Sequence, residues 1–257
     1  MLKLLMELYT CKNCINQFEG HFCNVCGQKP AHRLDIKHVL HEAIHVFTHA
    51  DKGIFTFIRK VITHPGTMAL EYVEGKRKKY FNPFQYLILI VGVTAFAISK
   101  SRVMEDTIGA ITTQKGSARV IQFQHLVEGL FQKYFNIVLF TLIPFYAFFS
   151  KIFFRSKGYN YAENIVLQCY IQAQQNTIFA TVYLAAYFLR SQFGGTPFMI
   201  FLLITGIILN GIACKQFFKV SLLQGILKTI LVYICLEVVI IALTMIITFL
   251  YLTITQH

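Results

Sequence analysis

The chain has 257 residues, 55% of them hydrophobic and only 14% charged, and it contains no tryptophan. Soluble domains carry about 25% charged residues, so this composition excludes an ordinary soluble domain and points to a bilayer. The net charge of +12 does not favour nucleic acid, because lysine and arginine collect at the ends of apolar runs instead of on one polar face; anionic lipid headgroups are the better partner.

The opening ten residues hold too few apolar side chains for a cleavable signal peptide. Two C-x-x-C pairs follow, Cys11/Cys14 and Cys23/Cys26, separated by eight residues. Each pair sets two thiolates on one tight turn, and two such turns complete the tetrahedral sulfur shell that Zn2+ prefers. The spacing predicts a small structural zinc ribbon over residues 1–31, available to contact a protein partner. Gly27, directly after Cys26, permits the left-handed turn that aims backbone amides at the sulfurs. A pair of disulfides is the alternative, disfavoured by the reducing compartment inferred below.

Residues 32–82 read as an interfacial region. On a helix starting near Asp35, His38, His41, His45 and His49 fall within roughly 80° of arc, at about 100° per residue, opposite Ile36, Val39, Leu40, Ala43, Val46 and Phe47. Three readings stand: a helix lying in the headgroup layer, a second metal site using His41, His45 and His49 at i,i+4 spacing with Glu42 or Asp51 as oxygen ligand, or a proton-responsive surface. Short segments punctuated by glycine and proline come next, then the basic run Lys76-Arg77-Lys78-Lys79. That run is either a topology anchor or, with Tyr80 and Asn82, a cradle for a lipid phosphate.

Residues 83–257 carry five apolar stretches, at 84–99, 134–154, 162–189, 196–213 and 226–253. With five crossings, the clusters Lys76 to Lys79, Lys151/Arg155/Lys157 and Lys215/Lys219/Lys228 share one side, which the positive-inside rule makes the cytoplasm. This predicts a multi-pass protein of a bacterial inner membrane with its N-terminus in and its C-terminus out. Cys169, Cys214 and Cys235 lie in or beside apolar segments as small buried hydrophobes. Pro144 predicts a kink in the second span. In the third, Glu163, Asn164, Gln168, Gln172 and Gln175 or Asn176 form a polar stripe; Glu237 stands near the middle of the fifth and calls for an amide partner from that stripe or Asn210. The stripe is either interhelical glue or a polar pathway.

The succession C-x-x-C, C-x-x-C, histidine-bearing helix, D-K-G, P-G, E-Y, G-K-R-K-K-Y and N-P-F resembles an uncharacterised family of bacterial membrane proteins known only as a domain of unknown function. Tyr161-Ala162-Glu163-Asn164 is similar to a Y-x-E-H element of that family, with asparagine in place of histidine. The resemblance implies no activity. The expected fold is an α-helical polytopic membrane protein of about five transmembrane helices with a small N-terminal zinc ribbon. The favoured function is a scaffold or a transport or assembly accessory for an amphiphilic or lipid cargo. The alternative is a metal-dependent membrane enzyme acting on a lipid headgroup at the cytoplasmic face, with the histidine stripe and Asp51 as ligands; no G-x-S-x-G or P-loop is present, while His41-Glu42-Ala43-Ile44-His45 has the H-E-x-x-H pattern.

Overall fold

A computed structural model describes residues 8–36, 54–101, 118–188 and 196–254. Two short antiparallel strands, β1 (Leu8–Thr10) and β2 (Gln17–Glu19), pair Tyr9 with Phe18 and carry the first cysteine turn between them. Helices follow: α1 (Ile54–Thr63), α2 (Pro65–Val73), α3 (Pro83–Ser101), α4 (Ala118–Phe153), α5 (Tyr161–Phe188), α6 (Thr196–Phe218) and α7 (Leu222–Ile254). The histidine helix, with His38, His41, His45, His49 and Asp51, lies outside the described residues.

The architecture is built around α5, against which α1, α2, α3, α4 and α6 all pack. Every residue from Ala162 to Thr177 is buried. A surface helix buries one stripe, whereas one buried all round is a central rod. At about 1.5 Å per residue its 28 residues are long enough to cross a hydrocarbon core of about 30 Å. Its amides nevertheless make it too polar to be recognised as a span by composition.

Three helices are both long and apolar enough to cross a membrane: Pro83–Ser101, Ile200–Phe218 and Leu222–Tyr251. Ile137–Phe153 is a shorter apolar helix. It follows a break in α4 at Tyr134 (φ −112°, ψ 17°), the position where the sequence pattern starts its second span. Pro144 sits inside α4, and Tyr161 donates its hydroxyl to the Pro144 carbonyl at 3.0 Å.

The two short helices are fitted to the bundle by small residues and one amide. Pro65 begins α2 at a position where its missing N–H costs nothing. Gln216 on α6 then serves the chain break between α1 and α2: its Oε1 accepts from the Gly66 amide at 3.0 Å, and its Nε2 donates to the Thr63 carbonyl at 3.1 Å. Gly66 is in direct contact with α6, since a Cβ there would stand 2.0 Å from the Ala213 carbonyl oxygen. The α6–α7 hairpin closes in the same manner, a Cβ on Gly225 meeting the Gly211 oxygen at 2.6 Å. Between helices in lipid, such close approach replaces the hydrophobic drive that water would provide. On α3, Asn82 caps the Phe84 amide at 2.9 Å and Pro83 takes the first helical position.

The glycines yield a matched test. Gly66→Ala should cost at least the ~1–3 kcal/mol typical of overpacking, since backbone cannot move aside as a side chain can. Gly92→Ala on α3, where a Cβ meets nothing within 4 Å, should gain up to about 1 kcal/mol from helix propensity. Thermal unfolding of the detergent-purified variants should shift in opposite directions; equal shifts would refute the close α2–α6 contact.

Candidate functional site

Two turns of the same shape build the cysteine cluster. In the first, the Cys11 amide donates to the Asn16 carbonyl and the Ile15 amide to the Cys11 carbonyl, both at 2.8 Å. In the second, the Cys23 amide donates to the Gln28 carbonyl at 2.9 Å and the Gly27 amide to the Cys23 carbonyl at 2.8 Å. The residue after the second cysteine is left-handed in both, Ile15 at φ 64° and Gly27 at φ 69°. The sulfurs of Cys11, Cys14, Cys23 and Cys26 all lie within 4.8 Å of one another, with Cys11–Cys26 and Cys14–Cys23 at 3.5 Å.

Four sulfurs on two tight turns form a donor set that fits a metal ion. As bare thiols they cannot all ionise together. Burial pushes Cys23 up, but the backbone amides of Cys26 and Val25 outweigh it and bring the thiol down to about 6. At Cys14 the Asn16 amide acts downward, and burial with the neighbouring cysteines prevails, raising it to about 12. A divalent cation would remove this conflict by displacing the protons.

The cysteine turns do not hang free. Gln28, buried, donates to the Gly75 carbonyl at 2.7 Å and accepts from the Lys78 amide at 3.0 Å, so it clamps the turn that carries the basic run. Gly75 adopts φ 106°, and a Cβ there would come within 2.9 Å of the Ala31 Cβ and 3.1 Å of the Lys12 Cβ. Arg77 reaches back to the His32 carbonyl at 2.7 Å and lies over the Tyr72 ring.

A second clamp ties the same segment to the central helix. Asn160 and Glu163 form a capping box: the Asn160 amide donates to Glu163 Oε2 at 2.7 Å, and the Glu163 amide to Asn160 Oδ1 at 2.9 Å. The Glu163 carboxylate, 3% exposed, receives Arg33 Nε at 2.8 Å and Nη2 at 3.1 Å. Arg33 also donates to the Gly158 carbonyl at 2.9 Å, and Asn160 Nδ2 to the Leu34 carbonyl at 2.8 Å. Hydrogen bonding to Glu163 raises the Arg33 pKa further.

The basic run divides into two pairs of unlike role. Lys79 and Lys76 pair with Glu71, at 2.7 and 3.4 Å, and the Tyr80 hydroxyl donates to the same carboxylate. Partial burial raises Glu71, but hydrogen bonds from Lys79 and Tyr80 and the two ammonium charges hold it at about 2. Arg77 and Lys78 instead face a cleft of about 1040 Å³ between the cysteine turns and the body. Lys29, His21 and His32 line it too, with the rings of Phe22, Tyr72 and Tyr80, and no Asp or Glu does so among the described residues.

The polar stripe is buried as a unit, and two of its amides join helices. Asn164 accepts from Ser150 at 3.0 Å and Gln175 donates to the Gly206 carbonyl at 3.1 Å, while Gln174, outside the stripe, donates to the Ile62 carbonyl at 2.6 Å. Gln168 is buried with its Oε1 unpartnered among the described residues. Glu237 differs from expectation. It is exposed on α7, one turn beyond Tyr233, while Asn210 accepts from Thr229 and Cys214, both at 3.3 Å. Asn210 and Thr229 satisfy each other across the α6–α7 contact, which removes the need for an acid there.

Sequence reasoning did not single out Gln28, Arg33, Asn160 or Gln216, and took Glu71 only as the first residue of the E-Y motif. Only Asn160 had a local signal, since N-x-x-E ahead of an apolar run is a helix-start signature. Residues 51–94 match the model of a family described as a protein of unknown function (DUF3667). No curated protein and no solved structure matches the chain. The matched segment spans α1, α2, the basic turn and the first half of α3, so it contains the Gly66, Glu71 and Gly75 to Asn82 contacts described above.

Two measurements address the site. A carboxylate held at about 2 against an ordinary 4.5 adds stability that is complete above about pH 4.5 and is lost as pH falls towards 2. The difference in unfolding midpoint between wild type and Glu71→Gln should therefore be largest near neutral pH and shrink below about pH 4; a difference independent of pH would refute the cluster. Purified protein should hold about one equivalent of metal, released by acid because the sulfurs must be deprotonated to bind. Cys23→Ser should abolish it by elemental analysis.

Proposed function

We propose that this chain is an integral membrane scaffold or transport accessory that uses a zinc-loaded ribbon to form one wall of a binding cleft for the anionic headgroup of an amphiphilic cargo. The observation that carries this reading is the cleft itself, with Lys29, Arg77, Lys78, His21 and His32 around it and no carboxylate among its described lining residues. Such a one-signed lining, with low-dielectric protein walls, concentrates anions. Aromatic rings beside the cations suit a headgroup that carries an apolar body. Zinc is the metal proposed because two C-x-x-C turns supply four sulfurs and no vacant position.

The reading extends to five crossings of a bacterial inner membrane with the ribbon in the cytoplasm. Support comes from charge: the cations at 76–79, 151–157 and 215–228 stand at the ribbon-side ends of α3, α4, α6 and α7, where the positive-inside rule expects them. Lys76 and Lys79 share the Glu71 carboxylate and Arg77 is held at the His32 carbonyl, so Lys29 and Lys78 are the cations proposed to meet the ligand. The histidine helix and any second metal upon it stay outside the described residues, so the enzymatic alternative gains no support from the geometry.

Water-soluble dihexanoyl phosphatidylglycerol, titrated into the detergent-purified full chain, should bind more tightly than the phosphatidylcholine of the same length. Lys29→Ala with Lys78→Ala should weaken it by about tenfold or more, on the order of 1 kcal/mol per cation, and raised salt should do likewise. Lys76→Ala should leave it nearly unchanged. Equal affinity for the two lipids would overturn the reading.

A further inference from the structure

The geometry points to a second binding site, inside the bundle, for an uncharged, ring-bearing, lipid-soluble molecule that offers a carbonyl oxygen. This proposal does not depend on the reading of the basic cleft. A cavity of about 330 Å³ opens between α3, α4, α5, α6 and α7. Its size falls at the lower end of ordinary small-molecule pockets, about 300–1,000 Å³.

The depth of the cavity is shared by its walls. Thr94, Gln172 and Tyr233 each stand eleven residues past the first residue of α3, α5 and α7. At about 1.5 Å per residue that is roughly 17 Å from the ribbon-side ends, close to the middle of a hydrocarbon core of about 30 Å. A molecule at that level arrives through lipid. Leu203, on the cavity wall, is also 52% exposed on the outer surface of α6, so the wall reaches the face that lipid would touch.

The lining decides the chemistry. No Asp, Glu, Lys, Arg or His is among its described lining residues, which disfavours a charged ligand at this depth. Aliphatic and aromatic side chains make up most of the wall, Tyr146 and Tyr233 among them with their rings 5.5 Å apart and edge-on. Gln172 is the exception that needs a partner. It is 8% exposed, lines the cavity, and its side-chain amide forms no hydrogen bond among the described residues. Its neighbour Asn176 has its own Nδ2 committed to the Gln172 carbonyl at 2.8 Å. An amide left unpaired in such surroundings costs free energy. Water would answer the amide and leave the aromatic walls wet; a flat ring with a carbonyl accepting from Gln172 Nε2 satisfies both. Gln175, held to the Gly206 carbonyl, and Thr94, held to the Asn176 carbonyl at 3.1 Å, fix the frame around it.

The test uses the full chain in lipid nanodiscs and decylubiquinone, a neutral quinone with a short tail, as the probe. The chain has 13 tyrosines and no tryptophan, so quenching of tyrosine emission reports binding, with empty nanodiscs as the partition control. Saturable binding is expected, weakened at least about tenfold in Gln172→Leu, which keeps the volume and removes the amide. Leu203→Phe, which narrows the opening from the lipid side without adding a tryptophan, should weaken it as well and decides the matter should Gln172→Leu fail to fold. Non-saturable partition into the wild type, or saturable binding that both folded variants leave unchanged, overturns the site.

Discussion

A carboxylate buried at the first turn of the central helix is the constraint from which the arrangement of this protein follows. Glu163 closes the capping box with Asn160 and is 3% exposed, in a place where a lone negative charge would be costly. The helix N-terminus offsets part of that cost. Arg33, its fork seated on both carboxylate oxygens, supplies the rest. Because Arg33 lies seven residues past Cys26, the ion pair also fixes where the cysteine turns sit. The clamp from Gln28 to the basic turn then leaves that unit no freedom to swing.

The segment that matches the family of unknown function gains a physical reading from this frame. Its residues are mostly joints. Gly66 lets α2 touch α6, Gly75 lets the basic turn touch the cysteine turns, Glu71 gathers Lys76, Lys79 and Tyr80, and Asn82 starts α3. A glycine that admits another backbone and a carboxylate that organises two lysines both tolerate few replacements. The lining of the basic cleft comes partly from outside that segment, at His21, Lys29 and His32.

Local chemistry was legible in the sequence, and long-range pairing was not. The cysteine spacing announced the sulfur cluster, and the amide spacing announced one stripe on α5. Glu237 stands in α7 as the sequence places it but is exposed and without the expected amide partner among the described residues, because hydropathy gives depth and says nothing of which way a residue faces. Arg33 and Gln28 were invisible for a different reason. Their partners lie 130 and 47 residues away, and no local period encodes such a pairing. The apolar stretch at 162–189 forms one long helix, yet its amides keep it out of the three helices apolar enough to cross a membrane, since neighbouring helices surround it.

The two cysteine turns share one backbone shape but not one residue at its strained corner. Glycine occupies that corner after Cys26, whereas after Cys14 it falls to Ile15, a β-branched side chain 81% exposed at φ 64°. A left-handed conformation costs such a residue on the order of 1–2 kcal/mol, with nothing around the side chain to return it. The Cys11/Cys14 turn therefore holds its shape at a conformational cost from which Gly27 spares the Cys23/Cys26 turn, and the two halves of the sulfur cluster, alike in hydrogen bonding, differ in how easily each can open.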